Sequence, residues 1–177
     1  MVQAWYIDDN DEQCSELLSL DDLYKRTGVE HFKLNVDTYT TDGVLDKLKK
    51  ERGYNYEDEM VCSKQGLASD EAKLKAFWSE HLHADEEIRF FLEGSGFFDV
   101  RDSCDQWIRI EVCAGDMIIV PSGIYHRFMI NSDGVKIKRI FTEEPAWRAY
   151  NRPADDLEAR IEYVEKLQKG YFVAQPC

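Results

Sequence analysis

Positive charge is in short supply in this chain: 22 lysines and arginines face 35 aspartates and glutamates, for a net charge of −13. Non-specific nucleic-acid binding draws its affinity from neutralised phosphates, so that partner class is excluded. No apolar run approaches the ~20 residues of a membrane span, so no integral membrane segment is expected. Met1 to Gln13 is polar and acidic, unlike a secretory leader. The five cysteines, Cys14, Cys62, Cys104, Cys113 and Cys177, are odd in number and contain no C-x-x-C pair, which argues against a disulfide framework and for a reducing, cytosolic compartment. Internal repeats and low-complexity tracts are lacking too. The acidic runs Asp8-Asp9-Asn10-Asp11-Glu12 and Glu57-Asp58-Glu59 lack the geometry of a calcium loop and read as solvated surface.

Histidine is scarce as well, and its distribution is informative. Of the four histidines, His81, His83 and His126 fall with Glu87 into one candidate coordination set, while His31 stands apart. Alternate side chains of a strand share a face, so His81 and His83 project together. A short turn at Ala84-Asp85-Glu86 brings Glu87 to the start of the next strand. There Glu87, Arg89 and Phe91 share one face, and Ile88, Phe90 and Leu92 the other. An isolated H-x-H is an ordinary strand feature, one ring hydrogen-bonded in a core and the other solvated. What favours a metal site is the second segment, a turn at Gly115, an apolar strand from Met117 to Val120, a Pro121-Ser122-Gly123 turn and His126 entering another strand.

Imidazole suits zinc, copper, iron and nickel, and the carboxylate adds a hard oxygen. No thiolate joins the set, which disfavours a structural zinc site of the finger type. Three histidines and a glutamate on an octahedral ion leave two adjacent positions for a chelating substrate or dioxygen. A redox-capable divalent ion, Fe(II) first, fits best.

One domain is expected over residues 1–177, in three parts without a linker. Residues 1–80 hold a strand near Ala4 to Ile7 and helices: one capped by Ser19 with Asp22 and closed by Gly28, one over Val44 to Arg52 closed by Gly53, and one over Asp70 to Glu80. Residues 81–141 carry turn residues every 8 to 12 positions between short β-branched and aromatic runs, the spacing of a sandwich or barrel. Residues 142–177 hold a helix entered at Pro153, with Asp155 and Asp156 in its first turn and Gly170 past its end. Leu157, Ile161, Val164 and Leu167 on it follow a helical period and are expected to pack on the barrel. The expected fold is mainly β with flanking helices.

Arginine at two barrel positions bears on chemistry. Arg89, two residues after Glu87, places a permanent positive charge where an anionic oxygen substrate would meet the metal. Arg139, alternating with Val135, Ile137 and Phe141, serves either the site or a salt bridge to one of the many carboxylates.

The segments His81-x-His83 through Glu87 to Gly94, and Gly115 through Pro121-x-Gly123 to His126, resemble the two signature motifs of the cupin superfamily. Lys75 stands where that pattern has a glycine, and Asn131 lies one position past its closing asparagine. More closely, His81-Leu82-His83-Ala84-Asp85-Glu86-Glu87-Ile88-Arg89, the stretch Gly94 to Asp102, Asp105-Gln106-Trp107-Ile108-Arg109, Pro121 to Phe128 and Glu144 to Asp155 resemble the acireductone dioxygenases of methionine salvage, in order and across nearly the whole chain. The resemblance implies a cupin-type double-stranded β-helix, or jelly-roll barrel. Its ligands would be His81, His83, Glu87 and His126, and Arg89 would stabilise a bound enediolate. It also implies a reaction in which Fe(II) protein cleaves acireductone (1,2-dihydroxy-3-keto-5-methylthiopentene) with O2 to formate and 4-methylthio-2-oxobutanoate, and Ni(II) protein releases CO, formate and 3-methylthiopropanoate. A methylthio tail needs an apolar slot; of Phe91, Phe128, Phe141 and Trp147 near the site, Phe91 and Phe141 are the choice for its walls. A monomer is expected. Protein partners, a nuclear fraction and peripheral association with the inner face of the plasma membrane come by family resemblance alone. The competing readings are a metal-free cupin binding module, disfavoured by the intact ligand set, and another cupin enzyme such as a sugar isomerase or a flavonol-type dioxygenase, separated only by the blocks around Arg89, Trp107 and Trp147.

Overall fold

The alternation of apolar and polar residues builds two antiparallel sheets in the computed structural model, which describes residues 2–64, 68–146 and 148–172. In chain order the elements are β1 (Gln3–Tyr6), α1 (Leu20–Thr27), β2 (Glu30–Lys33), α2 (Val44–Arg52), β3 (Tyr56–Ser63), α3 (Ala68–Trp78), β4 (His81–Leu82), β5 (Glu87–Glu93), β6 (Ser95–Arg101), β7 (Trp107–Cys113), β8 (Asp116–Val120), β9 (His126–Ile130), β10 (Gly134–Phe141), β11 (Tyr150–Asn151) and α4 (Glu158–Gln168). One sheet has the order β1-β7-β6-β9-β4-β11, the other β2-β8-β5-β10-β3. This is the mainly β, cupin-type barrel expected, with helices at its flanks. Among the described residues no helix is long and apolar enough to cross a membrane.

The period-2 rule assigns each residue to a layer. Phe91, Phe98, Val100, Ile108, Ile110, Ile118, Val120, Phe128, Ile130 and Ile137 fill the space between the sheets. Their neighbours Ile88, Phe90, Met117, Ile119 and Ile140 point outward from the five-stranded sheet, where Leu34, Leu45 and Tyr54 cover them. The inner strands β5 and β8 are therefore buried on both faces, which is why Ile88 to Leu92 (but for Arg89) and Met117 to Val120 read as apolar runs, whereas the edge strand β3 alternates with exposed carboxylates. Gly96 lies inside β6, not in the turn before it, because a Cβ there would meet the Phe128 ring at 2.5 Å and the Met129 carbonyl oxygen at 2.8 Å.

The first two helices end where the local chemistry directs. Ser19 caps α1, its Oγ accepting from the Asp22 N–H at 3.0 Å, and Gly28 closes it in the left-handed region. Val44 to Arg52 forms α2, closed by Gly53 in the same conformation. The third helix runs Ala68–Trp78, earlier than Asp70 to Glu80, because His81 must pair with His126 and Asn151 in the sheet. Lys75, the departure from the cupin pattern, lies within that helix.

The last helix differs more. It begins at Glu158, beyond Pro153, Asp155 and Asp156, because Tyr125 holds the preceding segment: its Oη donates to Asp155 at 3.0 Å and accepts from the Ala154 N–H at 2.7 Å. Tyr163, not Ile161, is the residue of α4 buried against the barrel, its Oη donating to the Thr27 carbonyl at 2.8 Å, while Ile161 is 48% exposed. Val164 and Leu167 pack on the core as expected.

Candidate metal centre

His81, His83, Glu87 and His126 arrive from three strands and the turn between two of them. β4 is only two residues long and pairs with β9 at a single position, His81 opposite His126. His83 follows β4, its carbonyl accepting from the Gly123 N–H at 3.0 Å, and Ser122 Oγ holds the Ala84 carbonyl at 2.6 Å. The Pro121-Ser122-Gly123 turn thus fixes the bend between His83 and Glu87. Gly123 has a φ of 82°, and a Cβ there would lie 2.1 Å from the Ala159 carbonyl oxygen.

All four side chains are buried, and one ligand atom from each lies within 4.8 Å of the other three. The rings are oriented by backbone carbonyls. Nδ1 of His81 lies 2.6 Å from the Ser79 oxygen, that of His83 2.7 Å from the Arg148 oxygen, and that of His126 3.0 Å from the Ile124 oxygen. A carbonyl only accepts, so each Nδ1 carries the proton and each Nε2 lone pair is left for the centre. Glu87 Oε2 lies 2.9 Å from His126 Nε2 and 3.3 Å from His83 Nε2. These separations match neighbouring ligands on one ion with bonds of about 2.1 Å, so the residues present fit a divalent metal.

The charges suit the same role. Burial, then the neighbouring His126, pulls the His81 pKa from its ordinary value to about 4, which keeps its ring neutral and its lone pair available near pH 7. Burial pushes the Glu87 carboxyl up, but Arg89 together with His126 and His83 outweighs it and holds the group well below the usual carboxylate range. Arg89 Nε lies 3.2 Å from Glu87 Oε1, and Nη1 donates to the Ile88 carbonyl at 2.9 Å.

A cavity of about 540 Å³ opens on this cluster. Besides the four residues it is lined by Arg89, Arg139 and Lys73 and by the apolar Met60, Phe77, Phe98, Phe128 and Ile137. Arg139 faces it while forming the salt bridge that was the alternative for it, Nε donating to Asp58 at 2.6 Å across the β10–β3 pair. Phe91 and Phe141 are not wall residues, contrary to expectation. Phe91 is fully buried one layer behind, its centroid 6.0 Å from Phe128 and 6.3 Å from Phe98. Phe141 backs the two arginines, 5.6 Å from the Arg89 guanidinium and 5.7 Å from that of Arg139. Trp147 lies outside the described residues. Phe128 was findable, since it stands two positions after His126 and alternation gives both the same face. Phe77 and Lys73 come from α3, whose sequence carries no strong amphipathic pattern to mark an inward face.

His31 takes no part. Its Nε2 lies 2.9 Å from Asp116 Oδ1, on the far side of the five-stranded sheet from β10.

Residues 3–149 match the ARD/ARD' family. The chain is 48% identical over 180 residues to the acireductone dioxygenase of Drosophila melanogaster, with 97% of each chain covered. It is 48% identical to that of Ixodes scapularis, covering 98% of this chain and all of that one. Among solved structures, the acireductone dioxygenase from Bacillus anthracis with a cadmium ion in its active centre superimposes with a TM-score of 0.70 at 24% identity, covering 85% of this chain and 98% of that one.

Proposed function

The chain belongs to the ARD/ARD' family, and on that premise we propose that it is an Fe(II)-dependent dioxygenase that cleaves acireductone to formate and the methylthio keto-acid. The observation that carries the reading is the convergence of three imidazole Nε2 atoms and one ionised carboxylate beside a buried guanidinium at the floor of a cavity of small-metabolite size. His81, His83, Glu87 and His126 would hold the ion. A divalent ion also occupies the active centre of the Bacillus anthracis relative. When bound it supplies Lewis acidity and a template for two substrate oxygens.

The rest falls to the chain's own residues. Acireductone binds as an enediolate, and Arg89, fixed by Glu87 and by the Ile88 carbonyl, sets a permanent positive charge against its oxygens. Arg139 adds to the same field from the cavity wall, its guanidinium held by Asp58. Phe77, Phe98, Phe128, Ile137 and Met60 offer the methylthio tail an apolar wall with soft sulfur–aromatic contacts and keep water from the reacting carbons. Dioxygen attacks the electron-rich enediolate, a carbon–carbon bond breaks, and both oxygen atoms enter the two acids. We place the protein in the cytoplasm, a reading supported by its cysteine pattern.

Metal exchange tests this. Protein stripped with chelator should consume no acireductone. Reloaded with Fe(II) it should yield formate and the keto-acid; reloaded with Ni(II) it should yield CO, formate and the shorter methylthio acid, read by headspace gas analysis. Substrate consumed by both forms without CO from either would show that the pocket, not the ion, sets the cleavage site. No consumption by either would overturn the reading.

A further inference from the structure

The outer face of the six-stranded sheet, behind the ligand set, carries a network of charge and aromatic rings that the proposed function does not use. Arg127 follows His126 on β9 and so projects to the opposite face. Its Nε donates to Asp99 Oδ2 at 2.8 Å, and its Nη2 reaches Asp11. Asp99 is fully buried and also accepts from Arg109, at 2.7 Å from Nε and 2.8 Å from Nη2. The Arg127 guanidinium stacks 3.8 Å from the Trp78 ring centre and lies 4.6 Å from that of Trp107.

Trp78 is the last residue of α3, and the next residue, Ser79, presents the carbonyl that orients His81 Nδ1. β4 pairs with β11 at Leu82 and His81 on one side, but on the other it meets β9 at the single pair His81–His126, so the sheet fixes the two ligands against each other at one position only. Links between α3 and β9 therefore bear on how the Ser79 carbonyl sits relative to His126. Phe77 and Phe128 form one on the cavity side, their ring centroids 5.9 Å apart, and Arg127 against Trp78 forms another on the outer face.

We propose that Arg127 is a positioning residue of the metal centre: gripped by Asp99 and stacked on Trp78, it fixes the Ser79 carbonyl, and through it the His81 ring, against His126. The proposal rests on the reading of the four residues as a metal site. A purely structural role would make Arg127 equivalent to Arg109, which shares Asp99 but stands on β7, two strands from β9, with its guanidinium over Phe97 at 5.1 Å. The two arginines are thus a matched pair, one tied to a ligand-bearing strand and one not.

Co(II) titration of the full-length metal-free protein separates these roles, read by ligand-field absorption and by competition with a chelator, alongside thermal unfolding. Arg127→Met should weaken Co(II) binding about tenfold or more, the usual effect of losing a group that orients a ligand, and should change the absorption band. Trp78→Leu, which leaves the Asp99 ion pairs whole, should do the same. Arg127→Lys should recover only part, because an ammonium keeps the charge without the planar stack. Arg109→Met should lower the unfolding temperature while leaving Co(II) affinity and spectrum at wild-type values. Wild-type affinity and spectrum in both Arg127→Met and Trp78→Leu, or an equal loss in Arg109→Met, would overturn the proposal alone. Failure of the wild-type protein to bind Co(II) would overturn the metal-site reading and this proposal with it.

Discussion

His126 and His31 have the same side chain and different tasks. His126 offers Nε2 to the cluster from a buried position on β9, so His126→Ala should remove most bound metal, as should His81→Ala and His83→Ala, when metal content is measured after desalting. His31 is bonded to the buried Asp116, so His31→Ala should keep full metal content and instead lose about 1–3 kcal/mol of stability by leaving that carboxylate short of a partner. Loss of metal in His31→Ala with retention in His126→Ala would reverse the assignment. In the proposed reaction Arg89 acts on the bound substrate and not on the ion. Arg89→Ala should retain metal and slow turnover by about 100-fold or more, and Arg89→Lys should restore only part because the planar fork is gone. Unchanged steady-state kinetics in Arg89→Ala would move the anion-stabilising role to Arg139.

Elements depend on a few anchoring groups. Asp116 opens β8 and joins three strands, accepting from His31 Nε2 and from Lys33 Nζ on β2 and from the Cys113 N–H at the end of β7. Burial pushes its carboxyl up, yet the hydrogen bonds from His31, Cys113 and Lys33 outweigh that and hold it below the ordinary value. A carboxylate lowered in the folded state adds stability that is fully present above its unfolded value of about 3.9 and is lost as the pH falls through its folded value. Asp116→Asn should therefore be less stable than wild type by roughly 2–3 kcal/mol near pH 7, and the gap should shrink in denaturant titrations run below about pH 4. A gap unchanged at acid pH would contradict the ionised assignment. Gly123→Ala, forced against the Ala159 carbonyl at a φ of 82°, should cost about 2–4 kcal/mol and loosen metal binding, since the same turn holds His83. At this scale the sequence was legible wherever the chemistry is local. Gly28 and Gly53 mark helix ends because only their own backbone conformation is at stake, and His81 and His83 could be set on one side by alternation, with a short turn bringing Glu87 to them. What depends on distant partners was not legible. The last helix starts late because Tyr125 holds Asp155, and it turns Tyr163 inward because Thr27 lies beneath it. The Arg139–Asp58 pair requires the register of two strands separated by 81 positions.

The whole molecule is a barrel whose five-stranded sheet has its inner strands β8 and β5 buried on both faces and whose six-stranded sheet carries ion pairs behind His81 and His126, with the cavity opening on the His81, His83, Glu87 and His126 cluster. The cupin architecture was readable because the two motifs bracket the strands that build it. The strand order was not, nor was most of the cavity wall, because Phe77 and Phe98 meet Phe128 there only after the sheets close. The central claim is that this cavity splits acireductone with both atoms of dioxygen at the His81, His83, Glu87 and His126 centre. The direct measurement is a reaction of Fe(II)-loaded protein with acireductone under isotopically heavy dioxygen, followed by mass spectrometry of the acids formed. The account requires one heavy oxygen in formate and one in the keto-acid, in equal amounts, from wild-type protein and none above background from His126→Ala. Unlabelled acids, or equal labelled product from His126→Ala, would contradict it.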